Sequence, residues 1–592
     1  MNNAEDLDHA VILAAVQELP FSVGKGTLSE LLVGAVSKKM VSNDTYMELD
    51  SYSALSAYPQ IRIEQTIDRL VASGHLALVH PRGQSHMRVI EITAKGIGEL
   101  KAPKIGKTTY ASSFGISEPD ELSKQLMQQF QFFLKSYNVQ QQHAIVSPAK
   151  KILCVAGAGT GKTTVLTKRI EFLVAYRGVK PSSILAITFT RKARAEMQAR
   201  LSSVGAEVTT FNGFCEKLLR SHGYAKPLVN YGQRVRLFQD ALSAERINLH
   251  ELVFDYFTDA QRKGATKEEL ERRLMGDVYS IIDHYSNEDE ALPSKGKSTL
   301  ASTLLGLARR IEREITVRGL RDYSGQTRDI LALLRNKSIS VPAYTHVLVD
   351  EYQDVNVAQQ RLIDLLKPEN LFVVGDPRQS IFGWRGSQLR YITEFVADST
   401  IQLQTNYRSR PVIATLMNKL IAGMNLPELV AAQTAGGAVQ TLKYTGEEEE
   451  LGAVAAILKH ATNTDIFVLA RTNRQLQDLS VLLTRGGVAH SIKKEEDEGA
   501  PSGLVLATVH AIKGLEARTV IVIGATSRYF PCKVSEHPVV DLIKDAYLDR
   551  EEEERRLLYV AVSRAKETLI VTYTTTPSYF FDGVLPPITV SK

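Results

Sequence analysis

Cysteine is scarce in this chain, which has 592 residues but only three cysteines, Cys154, Cys215 and Cys532. Cysteines so few and so widely spaced exclude a disulfide framework, a zinc site and an iron–sulfur cluster, and they indicate a reducing compartment. Apolar runs of the ~20 residues that cross a bilayer are also missing. The N-terminus is polar and acidic, unlike a secretory signal. We therefore expect a soluble protein of the cytoplasm, nucleoid-associated in a prokaryote, with no membrane partner.

A strong charge of one sign is missing too, and tryptophan occurs once. The formal net charge is +5, which is compatible with a nucleic-acid partner, although such a partner needs a local basic groove more than a large global charge. The one tryptophan, Trp384, stands in turn-like sequence between Gly383 and Arg385. Burial is harder to arrange in such a turn, so we favour base stacking for Trp384 over the alternative of a core position.

A glycine-rich stretch follows the apolar run from Ile152 to Val155 and precedes a helical pattern. This strand-loop-helix order is the context that a P-loop requires, in which backbone N–H groups close around phosphate oxygens. Lys162 is expected to reach the β and γ phosphates of ATP, and Thr163 to ligate Mg²⁺. The predicted nucleotide-binding residues of the stretch are Ala156, Gly157, Ala158, Gly159, Thr160, Gly161, Lys162, Thr163 and Thr164.

Two adjacent acids, Asp350 and Glu351, end a second buried-strand pattern. In phosphoryl transfer, one such carboxylate holds the metal and another polarises the attacking water. An acidic pair after a strand is by itself often a solvated turn. This pair indicates a catalytic site because a P-loop precedes it in the chain. The two stretches together predict an α/β protein that hydrolyses ATP with Mg²⁺.

Seven further motifs surround these two. They read Asn138-Val-Gln-Gln-Gln-His-Ala-Ile145, Ile187-Thr-Phe-Thr-Arg-Lys-Ala193, Thr210-Phe-Asn-Gly-Phe214, Gly375-Asp-Pro-Arg-Gln-Ser-Ile-Phe-Gly-Trp-Arg-Gly386, Asn406-Tyr-Arg-Ser409, Thr508-Val-His-Ala-Ile-Lys-Gly-Leu-Glu516 and Tyr559-Val-Ala-Val-Ser-Arg-Ala565. From about Gln128 to its C-terminus, the chain resembles the UvrD/Rep/PcrA group of superfamily 1A DNA helicases. The resemblance implies two RecA-like P-loop motor lobes and ATP-dependent 3′ to 5′ movement on single-stranded DNA, in repair, replication or recombination.

The resemblance also assigns roles at the nucleotide. It implies that Gln141 reads the adenine edge, Tyr407 stacks on the adenine face and Glu516 contacts the ribose. The implied catalytic set is Lys162, Asp350, Glu351, Gln379, Arg408 and Arg564. In this set the glutamine senses the γ-phosphate, and the two arginines come from the second lobe to neutralise charge in the transition state. An ordinary ion pair or cap is the alternative for these residues, above all for Glu516.

Aromatic faces and basic groups hold single strands. The predicted DNA-binding residues of the motor are Phe189, Asn212, Phe214, Phe382, Trp384, Arg385 and His510. Phe189 and Phe214 lie beside apolar segments, so a core position is the alternative for both. Asn212 stands where the family has a histidine, and it can still bind a phosphate. RNA as a substrate is not excluded, because stacking and phosphate contacts tolerate either sugar.

The first hundred residues lie outside these motifs. Helical patterns at 10–19, 27–36 and 61–72 precede strand patterns at 76–80 and 89–93, which flank a basic hairpin tip. This order predicts a winged helix-turn-helix. The segments Val23-Gly-Lys-Gly-Thr-Leu-Ser-Glu-Leu-Leu-Val-Gly34, Lys38-Lys39 and Ile92-Thr-Ala-Lys-Gly96 resemble the winged-helix (RQC) domain of RecQ helicases. Arg82 and His86 at the tip are predicted DNA contacts, and a domain for protein contacts is the alternative.

We expect the winged helix at 1–100, a linker at 101–126, the first lobe at 127–220 and 325–398, a helical 1B insertion at 221–324 and the second lobe at 399–592. The family's 2B subdomain is absent, because the stretch from Ser491 to Pro501 is far shorter than the ~50 residues of a domain. The family's strand-separating pin has no room after Tyr573 either. The acidic run from Glu551 to Glu554 predicts a solvated helix face.

The predicted function is therefore an ATP-dependent DNA helicase or translocase acting on single-stranded and on forked or junction DNA. A translocase that strips proteins from DNA and unwinds poorly is one alternative, because 2B and the pin are missing. A DNA-binding regulator, in which the winged helix finds sites and a slow ATPase acts as a switch, is another. Protein partners stay open.

Overall fold

The computed structural model describes residues 8–35, 46–47, 49–56, 60–72, 74–80, 88–101, 114–263, 265–296, 298–424, 426–461, 465–494, 497, 502–532, 539, 542 and 550–588. The hairpin tip with Arg82 and His86 lies outside these residues, so both predicted DNA contacts stay predictions. None of the described helices is long and apolar enough to cross a membrane.

The described residues of the N-terminal segment form four helices and an antiparallel strand pair. These are α1 (Asp8–Glu18), α2 (Lys25–Val33), α3 (Gln60–Ala72), β1 (Leu76–Val79), β2 (Val89–Ile92) and α4 (Ala94–Lys101). The apolar stripe of α3 is buried, with Ile63, Ile67 and Leu70 at most 2% exposed, because a 3.6-residue period places them on one face. The three predicted helices and both strands are therefore present, with ends shifted by a few residues.

A six-stranded sheet forms the centre of the first lobe. Its strands, in the order β5-β4-β6-β7-β3-β8 and all parallel, are β3 (Lys151–Ala156), β4 (Ile184–Thr188), β5 (Glu207–Thr210), β6 (His346–Val349), β7 (Asn370–Gly375) and β8 (Ser399–Leu403). The strands are apolar along most of their length because side chains from helices pack on both faces. The predicted motifs follow β3, β6 and β7, so they meet at the edge where parallel strands end.

The helices of the first lobe are α5 (Glu121–Gln129), α6 (Gln131–Leu134), α7 (Val139–Val146), α8 (Lys162–Arg177), α9 (Arg191–Arg200) and α10 (Phe211–Ser221). A helical insertion follows, with α11 (Tyr231–Ala244), α12 (Leu249–Tyr256), α13 (Asp259–Lys263), α14 (Lys267–Asn287) and α15 (Thr299–Val317). It has a core of its own that includes Leu274, Val278 and Leu304. The chain then returns to the lobe through α16 (Tyr323–Arg335), α17 (Val357–Leu366) and α18 (Arg390–Thr393).

A second parallel sheet, in the order β11-β16-β15-β12-β14-β13, forms the second lobe. The elements of this half are β9 (Thr405–Asn406), α19 (Pro411–Leu420), β10 (Val430–Ala431), β11 (Ala438–Tyr444), α20 (Glu447–Lys459), β12 (Ile466–Ala470), α21 (Asn473–Arg485), β13 (Ser491–Lys493), β14 (Leu504–Thr508), β15 (Ala517–Val522), α22 (Arg550–Val562) and β16 (Ala565–Thr574). The N-terminal α3 lies against α22 of this lobe.

Two predicted boundaries are wrong by short stretches. The strand β8 pairs with β3, so the first lobe extends beyond residue 398 to Leu403. At its start, the lobe takes in part of the predicted linker, because Ser117 N donates to Thr400 O at 2.7 Å and Asp120 caps a helix that begins at Glu121. The polar composition of 114–126 concealed a capped helix whose buried residues are Ser123 and Leu126.

Candidate nucleotide and DNA site

The loop between β3 and α8 is shaped by two glycines in the left-handed region. Gly159 has a φ of +70° and Gly161 a φ of +87°, a conformation that other residues rarely adopt. A Cβ on Gly159 would also lie 2.6 Å from Cβ of Arg408, so the loop needs glycine for close approach. Helix α8 begins at Lys162, so its first N–H groups and the positive end of its dipole face the loop. This arrangement binds anions such as phosphate.

Thr163 and Asp350 meet beside this loop, where the Thr163 hydroxyl donates to Asp350 Oδ2 at 3.3 Å. A hydroxyl and a carboxylate are hard oxygen donors of the kind that Mg²⁺ takes, so the pair fits this cation. Burial and the neighbouring Glu351 raise the pKa of Asp350. Burial also opposes ionisation of Glu351, but Lys162 and Lys513 outweigh it and lower the pKa of that carboxyl. Glu351 therefore stays ionised, as a group that polarises water must be.

Residues of both lobes converge on Gln379. Arg564, which is 1% exposed, donates through Nη2 to Gln379 Oε1 at 3.0 Å. Gln379 Nε2 donates to Asp376 Oδ2 at 2.8 Å, and Arg408 Nη1 donates to Ser563 O, next to Arg564, at 3.0 Å. The predicted glutamine and arginines are therefore brought together beside the loop.

The predicted adenine and ribose residues lie at one end of the loop. Gln141 closes a capping box with Asn138 at the start of α7, and its Nε2 donates to Thr160 O at 3.0 Å. Tyr407 is 47% exposed, so a ring face is available, and its hydroxyl accepts from Asn138 Nδ2 at 2.8 Å. Glu516 forms the ion pair that was its alternative, with Arg408 Nε at 2.5 Å. Base and ribose contacts stay predictions for these three residues.

Aromatic side chains cluster around the tight turn at 383–385, which follows Gln379 in the chain. Trp384 is 39% exposed in a tight turn at 383–385, and Arg385 lies over its ring at 4.5 Å from the centroid. The His510 ring, from the second lobe, lies 6.3 Å from the rings of both Phe382 and Trp384, and Lys513 Nζ lies 4.7 Å from the Phe382 centroid. Exposed ring faces beside cations are what single-stranded nucleic acid requires.

Comparison with known proteins decides the family. Residues 137–400 match the UvrD/REP helicase N-terminal domain, and residues 488–576 match the UvrD-like helicase C-terminal domain. The chain belongs to the UvrD-like helicase family. Residues 7–111 match the RQC domain, so this UvrD-like chain also carries a domain of the RecQ type at its N-terminal end.

Three relatives give the extent of the similarity. ATP-dependent DNA helicase UvrD1 of Mycobacterium tuberculosis is 31% identical over 393 residues, which are 61% of this chain and 50% of the relative. ATP-dependent DNA helicase PcrA of Staphylococcus aureus is 30% identical over 399 residues, with shares of 61% and 51%. A probable DNA helicase of Mycoplasma pneumoniae is 28% identical over 481 residues, with shares of 75% and 85%. The UvrD-like chain thus spans about half the length of the first two relatives.

One predicted DNA contact of the UvrD-like motor is wrong. Phe214 is 2% exposed and packs edge-on against Tyr344 at 6.2 Å between ring centroids, within the first-lobe core. It offers no face to a base, because it lies on the buried stripe of α10. Phe189 is half-buried against Phe211, and Asn212 is exposed in the first turn of α10. The DNA contacts of Phe189 and Asn212 stay predictions.

Several residues that sequence reasoning gave no role, or the wrong one, complete the site. Asp376 and Arg378 form a fully buried ion pair at 2.7 Å beside Gln379. The acidic run is not a solvated face, because Glu553 accepts from Gly383 N at 2.8 Å and Glu554 pairs with Arg471 at 2.6 Å. Charged residues inside otherwise apolar motif stretches were the available signal for Asp376 and Arg378.

Proposed function

We propose that this UvrD-like chain is an ATP-driven motor that moves 3′ to 5′ along single-stranded DNA. The observation that carries the proposal is the contact of Arg564 in the second lobe with Gln379 in the first, 3.0 Å long and buried. Gln379 also belongs to the segment that leads into Trp384. Hydrolysis and strand contact would therefore depend on the same relative position of the two lobes.

In this proposal each residue has a defined task. The N–H groups of the Gly157–Thr163 loop and the Lys162 ammonium bind the phosphates of ATP, and Glu351 accepts a proton from the attacking water. Thr163 and Asp350 would hold Mg²⁺, which neutralises phosphate charge when bound. Arg408 and Arg564 stabilise the charge that develops in the transition state. The arginines complete the site only when the lobes close, so closure and hydrolysis are coupled.

The finer architecture belongs to the same proposal. Helices α11 to α15 correspond in position to the family's 1B insertion, and the short connection between β13 and β14 leaves no room for a 2B subdomain. The N-terminal helices and strand pair would form a winged helix that contacts the duplex at forks or junctions. Weak unwinding with efficient removal of bound proteins is the second candidate, favoured by that short connection.

Two assays on the same protein separate these activities. In the first, streptavidin is placed on biotin at the 5′ or the 3′ end of a single strand, and its displacement is followed with ATP. We expect displacement from the 5′ end, whereas faster displacement from the 3′ end contradicts the polarity.

In the second assay, strand separation is measured on tailed, forked and four-way DNA and on an RNA strand. Displacement of streptavidin without strand separation identifies the stripping translocase.

A further inference from the structure

Lys513 joins the two lobes between the DNA track and the ATP site. Its ammonium, in the second lobe, donates to Asp354 Oδ2 at 2.5 Å and to Gln379 O at 2.6 Å, both in the first lobe. The Lys513 and Asp354 side chains are only 10% and 3% exposed. The same ammonium lies over the ring of Phe382. The Lys513 ammonium thus contacts the Phe382 ring, which is a predicted DNA contact, and also Asp354 and Gln379 of the first lobe.

Asp354 leads onward to the residue expected to activate water. Gln353 is fully buried, and its Nε2 donates to Glu351 Oε2 at 2.7 Å and lies 3.3 Å from Asp354 Oδ2. The other end of the Gln353 amide accepts from Asp376 N at 2.9 Å. The Gln353 donor is therefore divided between two carboxylates, and a change at Asp354 alters how strongly it binds Glu351.

The two oxygens of the Asp354 carboxylate differ in their hydrogen bonding, because only Oδ2 has donors beside it in the described part of the chain. No hydrogen-bond donor in the described part of the chain reaches its buried Oδ1. A buried carboxylate held through one oxygen responds strongly when its cation moves. Gln353 Nε2, 3.3 Å from Asp354 Oδ2, is then the donor that remains beside it. Burial raises the pKa of Asp354 to about 6, although Lys513 opposes the shift.

We infer that Lys513, Asp354 and Gln353 are positioning residues that transmit occupancy of the Phe382–Trp384 track to Glu351. A strand on these rings brings phosphates beside Lys513 and draws its ammonium away from Asp354. Asp354 Oδ2 then takes the Gln353 donor, and Glu351 is released to accept the proton of the attacking water. The inference deepens the proposed motor function and rests on it, because it explains how a bound strand accelerates hydrolysis.

The test compares ATP hydrolysis with and without oligo(dT) in the native chain, Asp354→Asn, Lys513→Met and Lys513→Arg. Asparagine keeps the shape of aspartate but lacks the negative charge that pairs with the ammonium. We expect the stimulation ratio to fall about tenfold or more in Asp354→Asn and Lys513→Met, as for loss of one hydrogen bond to a charged group. Lys513→Arg keeps a cation and should restore most of the ratio. The oligo(dT) dissociation constant should change less than about threefold in all variants, since the ring faces remain.

Arg518→Met is the matched control, because it removes an exposed ion pair of the second lobe with Glu567, and it should keep the native ratio. A native ratio in a folded Asp354→Asn overturns the relay and leaves the motor intact. Stimulation that falls only in step with oligo(dT) affinity also overturns it, since Lys513 would then be a simple strand contact. If Asp354→Asn does not fold, the comparison of Lys513→Met with Lys513→Arg decides. A native chain that oligo(dT) does not stimulate contradicts the motor function itself.

Discussion

Three carboxylates lie within five residues of one another in the chain, Asp350 and Asp354 buried and Glu351 half-buried. Burial alone would neutralise them, and the raised pKa values of Asp350 and Asp354 express that cost. Glu351 differs because Lys162 and Lys513 keep it ionised. Glu351 also has a φ of +49°, a strained conformation for a residue with a side chain. At the scale of single residues, the site is destabilised by the features that its chemistry requires.

Lys162→Ala and Glu351→Gln should both abolish hydrolysis but differ in nucleotide binding. Loss of the Lys162 ammonium removes a charge that holds phosphate, whereas Glu351→Gln leaves the glycine loop intact and removes only the proton acceptor. Equilibrium binding of a fluorescent ATP analogue separates the two, with weak binding by Lys162→Ala and near-native binding by Glu351→Gln. Equal loss of binding in both variants would show that Glu351 has another role.

Trp384→Ala should weaken binding of single-stranded DNA by about 1–3 kcal/mol, the range for one lost base–aromatic stack. Because Trp384 is 39% exposed, the melting temperature should hardly change. The matched control is Phe214→Ala, which should lower the unfolding free energy by about 3–5 kcal/mol through a core cavity. At a temperature where both variants are folded, titration with labelled oligo(dT) should show a defect in Trp384→Ala alone. A Trp384→Ala variant as heat-sensitive as Phe214→Ala would assign Trp384 to the core.

His510 should make stability depend on pH below neutrality. Burial, followed by the charges of Arg471 and Arg385, lowers the pKa of His510 from its usual 6.5 to about 3. Below pH 6.5 the unfolded chain binds a proton that the folded chain does not, so the unfolding free energy falls as the pH drops toward 3. Denaturant midpoints at pH 7.5 and 5.5 should therefore differ less in His510→Gln than in the native chain. An unchanged difference would mean that folding does not lower the pKa of His510.

At the scale of elements, short sequence patterns predicted the features that depend on contacts between residues close together in the chain. The P-loop and the Asp350–Glu351 turn each follow a buried strand, so short stretches revealed them. The pairs Lys513–Asp354 and Glu553–Gly383 join positions 159 and 170 residues apart. Hydrophobic periodicity is a local signal, so it does not predict contacts between such distant positions. The strand β8 was misassigned for the same reason, since its pairing with β3 is a tertiary contact.

At Phe214 the local helical pattern was the better predictor, and the family motif was misleading. Its motif resembled a DNA contact, yet its place on the amphipathic stripe of α10 fixed its burial.

The N-terminal element supports a prediction of its own. Every motor motif lies downstream of residue 128, so deletion of residues 1–100 should leave ATPase stimulated by single-stranded DNA largely intact. Unwinding of forked duplexes should fall, because the deletion removes the proposed duplex contact. Arg82→Ala combined with His86→Ala in the full chain should reproduce part of the loss. Undiminished unwinding by the truncated chain would make the domain a targeting or partner-binding module.

At the scale of the whole molecule, two lobes, each built on a parallel sheet, are in contact beside the glycine loop. The contacts that cross between the lobes include Arg564–Gln379, Lys513–Asp354 and Glu553–Gly383. The first involves Gln379, the proposed γ-phosphate sensor, the second involves the acidic motif and the third involves the turn that carries Trp384. Movement of one lobe relative to the other would therefore change the proposed catalytic site and the proposed strand contact together, as the proposed motor function requires.

The most direct test of this account is the rate of ATP hydrolysis by the full chain with and without single-stranded DNA, with Glu351→Gln as the inactive control. We predict low hydrolysis without DNA, strong stimulation by oligo(dT) and none in Glu351→Gln. Stimulation should saturate at the oligo(dT) concentration that saturates binding, because the strand acts through the lobe interface. A hydrolysis rate that is the same with and without DNA would contradict the motor and favour a slow ATPase switch in a DNA-binding regulator.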